Sequence, residues 1–144
     1  MNLLGVLDLS GTALKAERLR AEVVAANLAN AETTRTPQGG PYVRQQVVFS
    51  AARAGVAGAF AQTLAGTQAP EVRVSGPVSD PTPPVMRYEP GHPDANTEGM
   101  VAYPSINPVQ EMVDLMGAAR AYQLNAAAVQ TTKNMIQQSI EILR

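Results

Sequence analysis

Few side chains in this sequence could do chemistry, and their spacing decides what they can do. The one histidine, His92, lies in the turn-rich run Glu89-Pro90-Gly91-His92-Pro93-Asp94. The chain has no second histidine and no cysteine, so His92 lacks an imidazole or thiol to pair with and reads as a loop residue. Asp94, Asn96 and Glu98 alternate ahead of Gly99, in the manner of the front of a calcium loop. Such a loop needs a glutamate at its last ligand position, and Ser105 stands there. Hydrogen-bonded turns account for this Asp, Asn and Gly spacing without a metal. Gly-rich phosphate loops, GxSxG elbows and HExxH pairs are absent. An enzyme would need an acid/base pair in a cleft, and Asp94 and Glu98 lie in a turn. Neither an enzymatic reaction, a cofactor, a metal nor a small-molecule substrate is expected.

The remaining polar candidates sit in helical patterns. Arg120, beside Tyr122, is expected to make an ion pair between helices, and Asn125 to fix register as buried polar residues do in coiled coils. Asn27 and Asn30 read the same way, or as residues that merely end a helix. Lys133 on an apolar seam would snorkel or meet a carboxylate of a neighbour.

Two long helices must position these groups. Residues 107–143 open on a start signal: Asn107 can cap, Pro108 suits the first helical position and Gln110 follows. Leu115, Tyr122, Val129, Ile136 and Leu143 then recur every heptad, with Ala119, Ala126, Lys133 and Ile140 at the i+4 offset. At ~1.5 Å per residue this rod is on the order of 50 Å long. Residues 1–34 predict a second helix, its body running from Asp8 or Ser10 to Asn30. Leu7, Leu14, Ala21 and Leu28 form one apolar series and Leu9, Ala16 and Val23 another, so the apolar sector is wider than one partner helix can cover.

The middle differs in composition. All 11 prolines fall between Pro37 and Pro108, where helices and central strands are hard to sustain. Residues 42–49, 71–74 and 85–89 alternate as strands should, while the Ala/Gly-rich residues 50–69 are ambiguous between loop and loose helix. The expected fold is mainly α with a small β-rich insertion. Its long N- and C-terminal helices pair as a coiled coil, and short strands and long loops fill the middle. Three regions follow: residues 1–34, 35–106 and 107–144.

With 11 basic and 12 acidic residues spread along the chain, no basic patch is available for a phosphate backbone, so nucleic acid is not an expected partner. Absence of cysteine excludes disulfides and thiolate chemistry. The apolar start MNLLGVLDLSG is no signal peptide, because no cation precedes Lys15 and charges recur from Asp8 onward.

The run Asn27-Leu28-Ala29-Asn30-Ala31-Glu32-Thr33 resembles the ANNLANxxT signature of the bacterial flagellar rod, hook and hook-associated axial proteins. Val109, Glu111, Met112 and Val113, then Ala119-Arg120-Ala121-Tyr122, Asn125 and Lys133, are similar to the C-terminal motif of that family. Pro41-Tyr42-Val43, the run Tyr88 to Pro93 and the run Gly99 to Pro104 look like its proximal rod members; Pro108 and Gln110 depart from the usual pattern but suit a helix start.

The resemblance implies an axial structural subunit of the basal-body rod spanning the periplasm. Its terminal helices would polymerise helically around a channel that conducts later axial proteins, and the rod would transmit torque. Implied partners are other copies of the chain, other proximal and distal rod proteins, the hook–basal-body protein at the rod base, and the flagellar type III export apparatus. Export would leave the N-terminus uncleaved. Expected interface positions are Leu14, Val23, Asn27, Leu28 and Asn30 in the first helix. In the second they are Met112, Leu115, Ala119, Arg120, Tyr122, Asn125, Ala126, Val129, Lys133, Ile136 and Ile140. The alternative is a self-contained helical hairpin that binds a single partner.

Overall fold

A computed structural model describes residues 3–51 and 72–142. Most of the expected loop-or-helix stretch 50–69, the start of the second expected strand at Glu71, and Leu143 lie outside the described residues. Among the described residues, two long helices, α1 (Leu3–Ala29) and α2 (Pro108–Ile142), flank four short strands. These are β1 (Gln45–Ala51), β2 (Val72–Ser79), β3 (Val85–Tyr88) and β4 (Met100–Tyr103). The protein is mainly helical with a small β part.

The start of α2 follows from its sequence. Asn107 Oδ1 accepts from the backbone N–H groups of Val109 (3.0 Å) and Gln110 (3.4 Å), and Pro108 takes the first helical position, where no N–H is required. The start of α1 corrects the expectation of Asp8 or Ser10. Ser10 is buried inside the helix and Asp8 lies exposed on its flank, so neither caps, and the apolar residues before them continue the turn.

The helices pack side by side and antiparallel, since Asn27 meets Glu111 while Arg20 meets Asp114. Ala16, Val23, Val24 and Ala118 form the buried apolar part of the seam. The pair is flush where α1 ends and α2 begins. At the other end α2, with 35 residues against 27, overhangs Leu3 by roughly 12 Å at ~1.5 Å per residue.

Strands β1 and β2 form an antiparallel ribbon in which Gln46 faces Val78 and Val48 faces Ser75. The β2 strand thus carries one extra residue at Gly76-Pro77, a bulge that lets a proline sit in a strand. The first strand starts at Gln45, not Tyr42, because Tyr42 and Arg44 reach into the helix pair instead. The second runs to Ser79, beyond the expected alternation, and the third stops at Tyr88. Strand β4 was not expected. It pairs with β3 from Val85↔Tyr103 to Tyr88↔Met100 and buries Val101 and Tyr103 on one face.

Candidate functional site

Among the described residues, buried polar side chains converge where α1 ends, α2 begins and the chain approaches β1. Asn27 and Glu111 are each 1% exposed. Asn27 sits in the last full turn of α1 and presents its amide to residues 42–45. Its Nδ2 donates to the Gln45 carbonyl (2.8 Å) and to Glu111 Oε2 (3.2 Å). Its Oδ1 accepts from the Gln45 N–H (2.9 Å) and from the Tyr42 hydroxyl (3.1 Å). Every donor and acceptor of the amide is filled, and it serves Gln45 as a neighbouring strand would.

Glu111 lies in the first turn of α2, where the positive end of the helix dipole favours a carboxylate. Its Oε1 accepts from Arg44 Nε at 2.7 Å. Arg44 also reaches Asp80 Oδ2 (3.3 Å), and the Asp80 N–H donates to the Arg44 carbonyl (2.8 Å). Burial works against the Arg44 charge, yet hydrogen bonds and charge from Glu111, and then from Asp80, raise its pKa above the ordinary value. Burial, and next the Glu111 charge, push the Tyr42 phenol up. Hydrogen bonds from the Thr82 hydroxyl and N–H, with Arg44 and Gln46, hold the Asp80 carboxyl below the ordinary range. A buried pair of this kind breaks at a cost of several kcal/mol when one partner is removed, which makes it a device for fixing register.

The turn that resembled a calcium loop is a pinned connector. Asp94 accepts from the Thr34 hydroxyl (2.8 Å) and pairs with Arg35 (3.5 Å). Asn96 Oδ1 accepts from the N–H groups of Glu98 and Met100, both at 2.9 Å. His92 Nδ1 accepts from the Asp94 N–H at 3.1 Å, and its ring stands edge-on to Tyr103. Among the described residues, no three His, Asp or Glu side chains converge as metal ligands. An open groove lies between Arg44, Asp80, Arg87 and Gln110, but its cations are already engaged. Arg44 holds Glu111 and Asp80, and Arg87 stacks over the Tyr103 ring at 4.5 Å.

Residues 7–35 match the family described as "Flagella basal body rod protein", and residues 97–142 match "Flagellar basal body rod FlgEFG protein C-terminal". The chain is 36% identical over 152 residues to "Flagellar basal-body rod protein FlgC" of Borreliella burgdorferi, covering 100% of this chain and 99% of that one. It is 37% identical over 142 residues to FlgC of Salmonella typhimurium and 36% over 142 residues to FlgC of Yersinia enterocolitica. Both alignments cover 99% of this chain and 98% of the relative. The chain belongs to the FlgC family of flagellar basal-body rod proteins. It is a structural protein of the rod, at the flagellar basal body.

The two stretches matched by the family descriptions contain Asn27 and Glu111; Arg44 and Asp80 lie between them. Of the expected interface residues in this FlgC-family chain, Asn27 and Val23 are buried in the helix seam. Leu14, Leu28, Leu115, Val129 and Ile136 are half-buried along it. Tyr122, on the same row, is 44% exposed. Met112, Ala119, Arg120, Ala126, Lys133 and Ile140 face outward.

The seam's second row therefore corrects the sequence reading. It is Glu111, Ala118, Asn125 and Thr132, not Ala119, Ala126, Lys133 and Ile140. Arg120 meets no carboxylate among the described residues, and Arg20–Asp114 (3.6 Å) is the ion pair between the helices. Asn125 donates to the Ala121 carbonyl of its own helix (3.1 Å), so Asn27 carries the cross-helix amide contact. Asn30 takes the helix-end reading, donating to the Ala26 carbonyl at 2.9 Å. Sequence reasoning missed Glu111 and Arg44 as structural partners.

Proposed function

We propose that the chain is a subunit of the proximal rod that polymerises helically through its terminal helices, forming a hollow shaft that transmits torque and conducts exported axial proteins. The observation that carries this is the outward face of α2. Met112, Met116, Ala119, Ala126 and Ile140 are exposed apolar residues along it, interrupted by Lys133 before Ile140, with Met116 64% and Ile140 61% exposed. Exposed large apolar side chains along one helix face mark an interaction site, and a contact that does not close on itself builds a filament.

Residues 1–34 and 107–144 form the inner coiled-coil layer in this reading, and residues 35–106 the outer layer. Partners are further copies of the chain, other proximal and distal rod proteins, the hook–basal-body protein at the rod base, and the type III apparatus during export. The rod spans the periplasm, and export leaves the N-terminus intact. The chain is not an enzyme. Ala126→Leu tests this: overpacking at a close helix approach should abolish swimming while the chain is made at normal abundance. Wild-type swimming by that variant would contradict the polymerisation surface.

A further inference from the structure

We propose that a second face of α2 is the docking line for one long apolar helix of another rod subunit. That helix seats large side chains at Gly117, Ala128 and Ser139 and brings a carboxylate to Arg120. The source of the helix rests on the rod reading; its shape follows from α2 alone.

Val113, Leu124 and Met135 recur every eleven residues, and Gly117, Ala128 and Ser139 recur at the same interval four residues later. Eleven residues make about three helical turns, so large and small side chains alternate along one straight line on α2. At ~1.5 Å per residue the line is about 40 Å long. It stands about a quarter turn from the seam row through Ala118 and Asn125, and about half a turn from the outward row through Met112, Ala119 and Ala126. All six residues are exposed, Val113 at 57%, Leu124 at 66% and Met135 at 46%. The line carries no charge, and the Ser139 hydroxyl donates to the Met135 carbonyl of its own helix (2.8 Å).

Gly117 decides what kind of partner fits. It lies in mid-helix without a positive φ, and a methyl group added there would meet nothing else of the described chain within 4 Å. Glycine weakens a helix interior, and no contact within the subunit accounts for it here. Such a notch admits a bulky side chain or a close backbone from outside. Notches repeated every three turns match the side-chain rows of another α-helix, not the two-residue period of a strand. Arg120 flanks the line beside Gly117 and meets no carboxylate among the described residues, which places an Asp or Glu on the occupant.

Gly117→Leu in cells that make the full chain tests this. Leucine favours a helix more than glycine does, so lost assembly would not be a lost helix. Assembled basal bodies per cell should fall roughly tenfold or more at normal abundance of the chain, the scale of an overpacked contact. Because the chain has no cysteine, Leu124→Cys supplies a single thiol. That thiol should react with a small maleimide in dissociated chains and lose the reactivity in intact basal bodies. Arg120→Glu should lower assembly and Arg120→Lys should keep it. Normal assembly with Gly117→Leu or with Arg120→Glu would overturn the proposal. So would a thiol equally reactive in both states, as it would be in solvent or a water-filled channel. If Gly117→Leu assembles while Ala126→Leu does not, the rod reading stands and this face falls; if both assemble, both fall.

Discussion

The two ends of the helix pair are built on different principles. At the junction, the seam is closed by charge and amide contacts whose partners come from three separate stretches of chain: Asn27, Arg44 and Glu111. At the far end, Ser10 and Thr132 take the buried positions, and the Thr132 hydroxyl donates to the Ala128 carbonyl of its own helix. There α2 overhangs, and Ile142 is 85% exposed. The junction is specific because its groups accept few substitutes; the far end is adhesive because apolar surface accepts many. The difference separates fixing the shape of the subunit from offering surface to whatever covers it. Exchange in the isolated chain should therefore be slow near the junction and fast over residues 3–10 and 135–142.

Asn27→Ala should strike hardest. It takes one hydrogen bond from Glu111, whose charge Arg44 still holds, and leaves the Gln45 N–H and carbonyl without the amide, for a loss of roughly 3–5 kcal/mol in urea unfolding. A loss under about 1 kcal/mol would mean that water replaces the amide at the junction. Gly99→Ala comes next. Gly99 has φ of 74°, and an added Cβ would stand 2.9 Å from Tyr88 Cε2 and 3.2 Å from Pro90 Cβ. A cost of about 1–3 kcal/mol, confined to the β3–β4 hairpin by exchange, is expected.

Tyr122→Ala should cost the isolated chain about 1–2 kcal/mol, below the ~3–5 of a fully buried aromatic, because the ring is 44% exposed. A larger loss would place Tyr122 in the seam proper. Ala126→Leu should change the isolated chain by less than ~0.5 kcal/mol while stopping motility. The base of the β1–β2 ribbon should loosen in acid. The folded Asp80 carboxyl titrates below its ordinary value, so its contribution is present at neutral pH. It is lost as pH falls below the ordinary carboxylate value and through the folded one. Exchange of residues 45–46 and 78–79 between pH 7 and pH 2, corrected for the intrinsic rate, reads this, and protection that does not fall in acid would contradict it.

Much of the fold was legible. Asn107 and Pro108 marked the start of α2 because capping is local chemistry between residues two and three apart. The row through Leu115, Val129 and Ile136 was legible from heptad spacing. Its companion row was not. In a heptad, the i+4 and i−4 neighbours of Leu115 are equally placed to form the seam, and apolar character pointed to Ala119 and Ala126. The packed side carries Glu111, Ala118, Asn125 and Thr132, which look polar and exposed until their partners are known.

Glu111 was the least legible residue of the junction. Its cation, Arg44, is 67 residues away, and nothing in the local sequence marks a buried carboxylate. Strand β4 was missed because four residues show little alternation alone, and Val101 and Tyr103 become a face only when β3 lies alongside.

In the assembled rod, the outward face of α2 is expected to be covered by neighbouring subunits, whereas the Asn27–Glu111–Arg44 junction is complete within one chain. A density map of the assembled basal body at side-chain resolution tests it most directly. Met112, Met116, Ala126 and Ile140 should lie packed beneath helices of adjacent subunits, with Glu111 still held by Arg44 of its own chain. A stripe facing solvent or the central channel, or a Glu111 paired to another subunit, would contradict it.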